Sequence, residues 1–180
     1  MDLANLPAGP NIAVLKQGVG LIRRLEDRHY LPEPGRNRTA SVGMQFRHGL
    51  DFYFCLLEGL HTGEVDYECR RRDDRIAEDR LHAITRIDDL TEKLGNLSSP
   101  EAERSIRTRG EAPAGATHDT APWADSSVLR ELQFLFSHTV HHYAIIRLLL
   151  SAKGFDAGEQ FGVAPSTLRH WEQQTGHPAV

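Results

Sequence analysis

"LRELQFLFSHTVHHYAIIRLLL", residues 129–150, decides the fold. Leu129, Leu132, Leu135, Phe136, Val140, Ile145, Leu148 and Leu149 recur at helical spacing, Asp125 or Ser126 stands where an N-cap belongs, and Gly154 stands where a helix stops. The stretch predicts one long apolar helix from about Ser127 to Lys153. Into it are set His138, His141 and His142, and an imidazole taken out of water costs free energy unless something bonds it. Either these rings face solvent or they have a partner.

Working outward, three more helical patterns precede this one. Asn11 to His29 carries Ile12, Leu15, Val19, Ile22 and Leu25 before "YLPEPGRN" stops it. "TASVGMQFRHGLDFYFCLLEGL" offers Thr39 or Ser41 as N-cap, repeats Val42, Phe46, Leu50, Tyr53, Leu57 and Leu60, and ends by Gly63. After the turn "HTGEVDYE", a third runs from Cys69 or Asp73 to Leu94, with Ile76, Leu81, Ile84, Ile87 and Leu90 among charges of both signs. Residues 98–122 are rich in Ser, Pro, Gly, Ala and Thr, and "RSIRTR" predicts an irregular or β-hairpin excursion of two short strands. A short C-terminal helix begins near Pro165. The expected architecture is an all-α four-helix bundle in a single domain over residues 1–180, with one core in which facing helices can build a metal or cofactor site.

Composition narrows the function. The 21 Lys and Arg against 25 Asp and Glu leave a net charge of -4, which gives no basic field for nucleic acid or an acidic membrane. No apolar run approaches the roughly 20 residues of a membrane span. Cys55 and Cys69 lack a C-x-x-C spacing, and the N-terminal residues show neither a basic region nor a long apolar one. A cytoplasmic protein with reduced thiols is expected.

His138 and His142 are four apart and stand one above the other on a helix, about 6 Å apart along its axis. The same face carries Leu135, Ile145 and Leu149, so the pair is expected to point toward the apolar side, with His141 on the flank. The pair His138 and His141 could also chelate, but His142 is the better aligned. A catalytic divalent ion usually takes three protein ligands. Helix two supplies His48, with Asp51 at i+3 and Cys55 at i+7 on about the same face. Asp51 is a candidate fourth ligand or a hydrogen-bonding support for His48, His141 a second supporting candidate, and Glu131 a weaker candidate for either role. Asp51 and Glu131 are also the candidate proton acceptors. Cys55 reads as a small buried hydrophobe. His29, His61, His82, His118, His170 and His177 are assigned to solvent, and Arg70 to Arg72 to a charged face able to receive an anion.

The helix-two histidine with Asp at i+3, the "VDY" and arginine-aspartate segment, and the H-x-x-H-H run within residues 129–150 together resemble the DinB-like proteins. The likeness runs from about Asn11 to Trp171. It implies an up-down-down-up four-helix bundle holding zinc or nickel on three histidines, which fall on His48, His138 and His142. It also implies activation of a low-molecular-weight thiol, as in S-transferases of that superfamily, or of water, toward a small-molecule substrate. The competing class is a metal-binding structural or interaction protein, with an open ligand position favouring the enzyme and a fourth ligand from Asp51 or Cys55 the structural role. A homodimer is compatible with either. One further stretch, "FGVAPSTLRHWE", resembles the helix-turn-helix signature of MerR-type regulators. Its place at the C-terminus and its shortage of neighbouring basic residues make DNA reading the weakest alternative. The alternative for this tail is that Phe161, Val163, Leu168 and Trp171 fold back over the bundle.

Overall fold

The computed structural model describes residues 6–32, 41–110, 112, 115, 117 and 120–175; Thr39, His118 and His177 lie outside them. Helix α1 (Gly9–Arg24) takes Pro10 in its first turn and ends on Arg23 and Arg24, where cations favour the helix dipole. The expected first helix stops there. Leu25 turns extended, and a separate turn α2 (Asp27–Tyr30) starts at Glu26, whose side chain and that of His29 form a reciprocal cap. Helix α3 (Val42–Gly59) opens at Ser41, whose hydroxyl accepts the Met44 N–H. Strand β1 (Glu64–Asp66) follows, then α4 (Asp74–Glu78) and α5 (Arg80–Gly95). These last two correct the expectation of one continuous third helix. Asp79 adopts extended backbone between them and its carboxylate accepts the N–H groups of Leu81 and His82, so it caps a new helix. Helix α6 (Ser99–Glu103), strands β2 (Ser105–Arg109) and β3 (Ala124–Ser127), α7 (Val128–Ala152) and α8 (Pro165–Thr175) complete the order.

The chain is mainly helical, and its four long helices surround one core. Helix α1 packs on α5 and α7, and α3 packs on α5 and α7. Leu15, Ile22, Leu56, Ile87, Leu90, Leu94, Leu135 and Ile146 are almost fully removed from water there. One polar chain crosses this interior. Asn11 Nδ2 donates to the Leu132 carbonyl at 2.8 Å and to Tyr53 Oη at 3.0 Å, and Thr139 Oγ1 lies 3.1 Å from Tyr53 Oη and donates to the Leu135 carbonyl. With the threonine hydroxyl already donating, the tyrosine hydroxyl donates to it. Burial pushes the Tyr53 phenol up to about 12, so it stays protonated.

All-α is corrected in one respect: the chain contains a three-stranded sheet ordered β1-β2-β3. An antiparallel β2–β3 pair forms, from Ser105 opposite Ser127 to Thr108 opposite Ala124, but its second strand lies past residue 122 and takes up Asp125 and Ser126, the expected N-caps, so that Ser127 caps the helix instead. The turn expected at "HTGEVDYE" instead supplies β1, parallel to β2. Two of its three cross-strand pairs are ion pairs, Glu64 with Arg107 at 3.3 Å and Asp66 with Arg109. Since β1 follows α3 and β3 leads into α7, the sheet joins the end of one helix to the start of the other.

Gly43 sits where the backbone of α3 lies against that of α4. A Cβ there would stand 2.3 Å from the Ala77 carbonyl oxygen and 2.7 Å from the Tyr30 ring, and a backbone oxygen has nowhere to swing. Gly43→Val is expected to cost at least about 1–3 kcal/mol of folding free energy, an overpacking effect. Urea denaturation of both proteins measures it; an unchanged midpoint would mean the two helices separate freely.

Candidate metal centre

Helix α7 is apolar on most sides, and its buried line runs through Val128, Leu132, Leu135, Thr139, Tyr143, Ile146 and Leu150. Ile145 and Leu149 are only partly covered and Leu148 is 71% exposed. His138 and His142 therefore stand on the shoulder of the core, where α7 meets α3, a correction to the expectation that they point along the apolar stripe. His48 occupies the matching shoulder of α3, and all three rings are partly buried. One nitrogen from each of His48, His138 and His142 lies within 4.8 Å of the other two, although His48 and His138 are half the chain apart in sequence. Ring centroids are 4.4 Å apart for His138 and His142, 4.6 Å for His48 and His142, and 5.2 Å for His48 and His138. Nitrogens bound tetrahedrally to one zinc at about 2.0–2.1 Å stand about 3.3 Å from one another, so small ring movements suffice to fit this donor set to such an ion.

Two hydrogen-bond distances define the pair on α7. His142 Nε2 is 3.0 Å from His138 Nε2, and His142 Nδ1 is 2.7 Å from Gln45 Oε1. Burial, assisted by the neighbouring His138 and His141, holds the His142 imidazole down at about 4, so it is neutral and able to offer a lone pair at neutral pH. Gln45 was not foreseen. Its only sequence signal is its offset of three from His48, which places it on the same side of α3.

An aromatic wall closes one side. Phe52 packs against His138 at 4.7 Å and His48 at 5.1 Å, and Phe134 stacks on His138 at 5.6 Å. Behind it, Tyr67 stacks on Phe52 at 5.2 Å and donates its hydroxyl to Glu131 Oε2 at 2.8 Å. The Arg70 guanidinium lies 4.4 Å over the Phe52 ring and donates to the Tyr67 carbonyl.

The expected acidic participants are engaged elsewhere. Asp51 is buried and accepts from the Asp73 N–H at 3.3 Å and from Arg47 at 3.5 Å, so its oxygens hold α3 to the segment before α4. Glu131 is buried beneath the wall, accepting from Tyr67, Ser126 and Arg130. Neither joins the three histidines, and His141 projects outward, exposed. Cys55 is buried as expected and donates its thiol to the Asp66 carbonyl. Burial first, then Glu58 and Asp66, pushes that thiol up to about 12, so it is no thiolate ligand. Among the described residues, no fourth His, Cys, Asp or Glu completes the group.

Two of the histidines assigned to solvent are not free in it. His29 is buried against Phe155 with ring centroids 5.0 Å apart, and His82 pairs with Asp73 at 3.0 Å. In the tail, Phe161 is buried and stacks on Tyr143 at 4.6 Å, while Trp171 on α8 is 43% exposed. A cleft of about 640 Å³ between α1, α7 and α8, lined by Pro10, Leu132, Phe136 and Arg169 among others, contains no histidine.

Asp51 carries a pH signature. Burial outweighs the Asp73 N–H and the arginines Arg47 and Arg70, and raises its carboxyl from 3.8 to about 6. The folded chain therefore binds a proton more tightly than the unfolded chain, and stability falls as pH rises from about 4 to about 6. Asp51→Asn removes this loss. The difference between variant and wild type should grow in the variant's favour by about 1–3 kcal/mol across that window, read from denaturant midpoints at several pH values. A difference that is flat or of opposite slope would show that its ion pair dominates.

Comparison with known proteins returns little. No family model matches the chain, and no solved structure matches it. A curated protein of Rhizopus delemar, FK506-binding protein 5, is 29% identical over 110 residues, which is 61% of this chain and 28% of that protein. The chain thus spans little more than a quarter of that relative. No helix among the described residues is long and apolar enough to cross a membrane.

Proposed function

We propose that the chain is a DinB-like protein, its four long helices running up-down-down-up, in which His48, His138 and His142 hold one divalent cation, zinc or nickel, and that it acts as an enzyme on a small-molecule substrate in the cytoplasm. The observation that carries this reading is the meeting of three imidazole nitrogens from two helices half the chain apart, with no fourth protein ligand among the described residues. A bound ion would supply a lowered pKa to a thiol or water in its open position. The remaining work falls to the chain. Gln45 holds one imidazole, Phe52 and Phe134 exclude water from one side, and Glu131 is sealed away from any substrate proton. A low-molecular-weight thiol is the favoured cosubstrate because a thiolate generated at an ion needs no separate general base, and neither carboxylate is placed to serve as one.

Elemental analysis of the purified full chain tests this. About one zinc or nickel per chain, lost in His48→Ala, is the expected result for a three-ligand site. Absence of metal after reconstitution with both ions would overturn the reading.

A further inference from the structure

The chain Gln45, His142, His138 can hold its protons in two ways. In the first, His142 carries its proton on Nδ1 and donates it to Gln45 Oε1, while His138 carries its proton on Nε2 and donates it to His142 Nε2. In the second, the Gln45 amide is turned to donate to Nδ1, and His142 Nε2–H donates to His138. Only the first leaves the Nε2 lone pair of His142 directed at its neighbours as an acceptor, and only the first agrees with the amide oxygen facing the ring at 2.7 Å.

Resting on the three-histidine reading above, we propose that Gln45 is a positioning residue: it fixes His142 as the Nδ1–H tautomer before any metal arrives, leaving His138 as the histidine that must give up its Nε2 proton when a cation enters. The two ligands of the pair are thus unequal. His142 is ready for a metal as it stands, because its second nitrogen is already committed to an acceptor, an arrangement that metal-bound imidazoles commonly use. His138 blocks the centre with an N–H until that proton is exchanged from Nε2 to Nδ1, which leaves the ring neutral and its Nε2 lone pair free. A glutamine suits this position because its oxygen accepts without adding charge beside three imidazoles.

The test uses the metal-free full chain labelled with nitrogen-15 in histidine, read by long-range proton–nitrogen correlation at neutral pH, with His138→Ala and His142→Ala for assignment. The wild type should show His142 protonated on Nδ1 and His138 on Nε2. Gln45→Met should shift His142 toward Nε2–H, while Gln45→Glu should keep it on Nδ1. Zinc added to the wild type should move the His138 proton off Nε2 and leave His142 unchanged, and Gln45→Met should weaken zinc binding about 10–100-fold. A wild-type His142 protonated on Nε2, or a tautomer indifferent to Gln45→Met, overturns the proposal whatever zinc does. The predicted tautomers without zinc uptake would instead overturn the metal reading and, with it, the part of the proposal that concerns His138.

Discussion

His142→Ala should reduce zinc content from about one ion per chain to near zero, while His141→Ala leaves it unchanged. The two residues are neighbours in sequence and alike in chemistry, so the contrast isolates geometry. His142 is partly buried with a nitrogen 3.0 Å from His138 and its ring 4.6 Å from that of His48, whereas His141 is exposed on the outer side of α7. Losing one of three ligands removes a metal–nitrogen bond and the i,i+4 chelate together, and the two histidines left, His48 on α3 and His138 on α7, are too few for a site of catalytic type. Elemental analysis and competitive zinc titration read the outcome. Equal losses from the two variants would mean that α7 turns differently from the arrangement described above.

The second large effect is on stability. Glu131→Ala is expected to cost about 2–4 kcal/mol, because two hydroxyls lose a buried charged acceptor while the third partner, Arg130, is mostly exposed. Truncation strands the Tyr67 hydroxyl and Ser126 under the aromatic wall and leaves a gap at the start of α7, where an acidic side chain also favours the helix dipole. Tyr67→Phe should cost less, about 1–2 kcal/mol, since it removes the hydroxyl but keeps the ring against Phe52. The double variant should show a coupling of about 1–3 kcal/mol between the two positions, as residues sharing one network do. Additive losses would place the cost of Glu131 in its other partners, Ser126 and Arg130.

Much of this fold is written locally. The four long helices follow from apolar periodicity and from caps such as Ser41 before Val42, whereas the cap of α7 falls on Ser127, just past the expected Asp125 or Ser126. The break at Asp79 escaped because an acidic residue among arginines reads as half of an i,i+4 pair until its carboxylate is seen accepting the N–H groups of Leu81 and His82. Strand β1 escaped because an alternation over three residues is too short to stand out and their partner, β2, lies some forty positions downstream. In α7 the apolar residues go nearly all round, so periodicity could name the helix without choosing which side is buried. The site divides the same way. Spacing selected the three histidines, but it could not show that Asp51 and Glu131 already serve Asp73 and Tyr67, contacts made by distant parts of the chain. Gln45 was invisible for a plainer reason: an amide has no charge and no motif, only a direction.

The placement of His48 and His138 on helices half the chain apart has a consequence for how such a centre is assembled. An ion bridging them closes a loop of half the chain, and the entropy of closing it must already have been spent by the packing of α3 on α7. In the unfolded chain, only the i,i+4 pair is close enough to capture a metal, and it captures it weakly. Tight uptake therefore waits for α3 to pack on α7, and an ion acquired in that order reports, chain by chain, which molecules have made that contact.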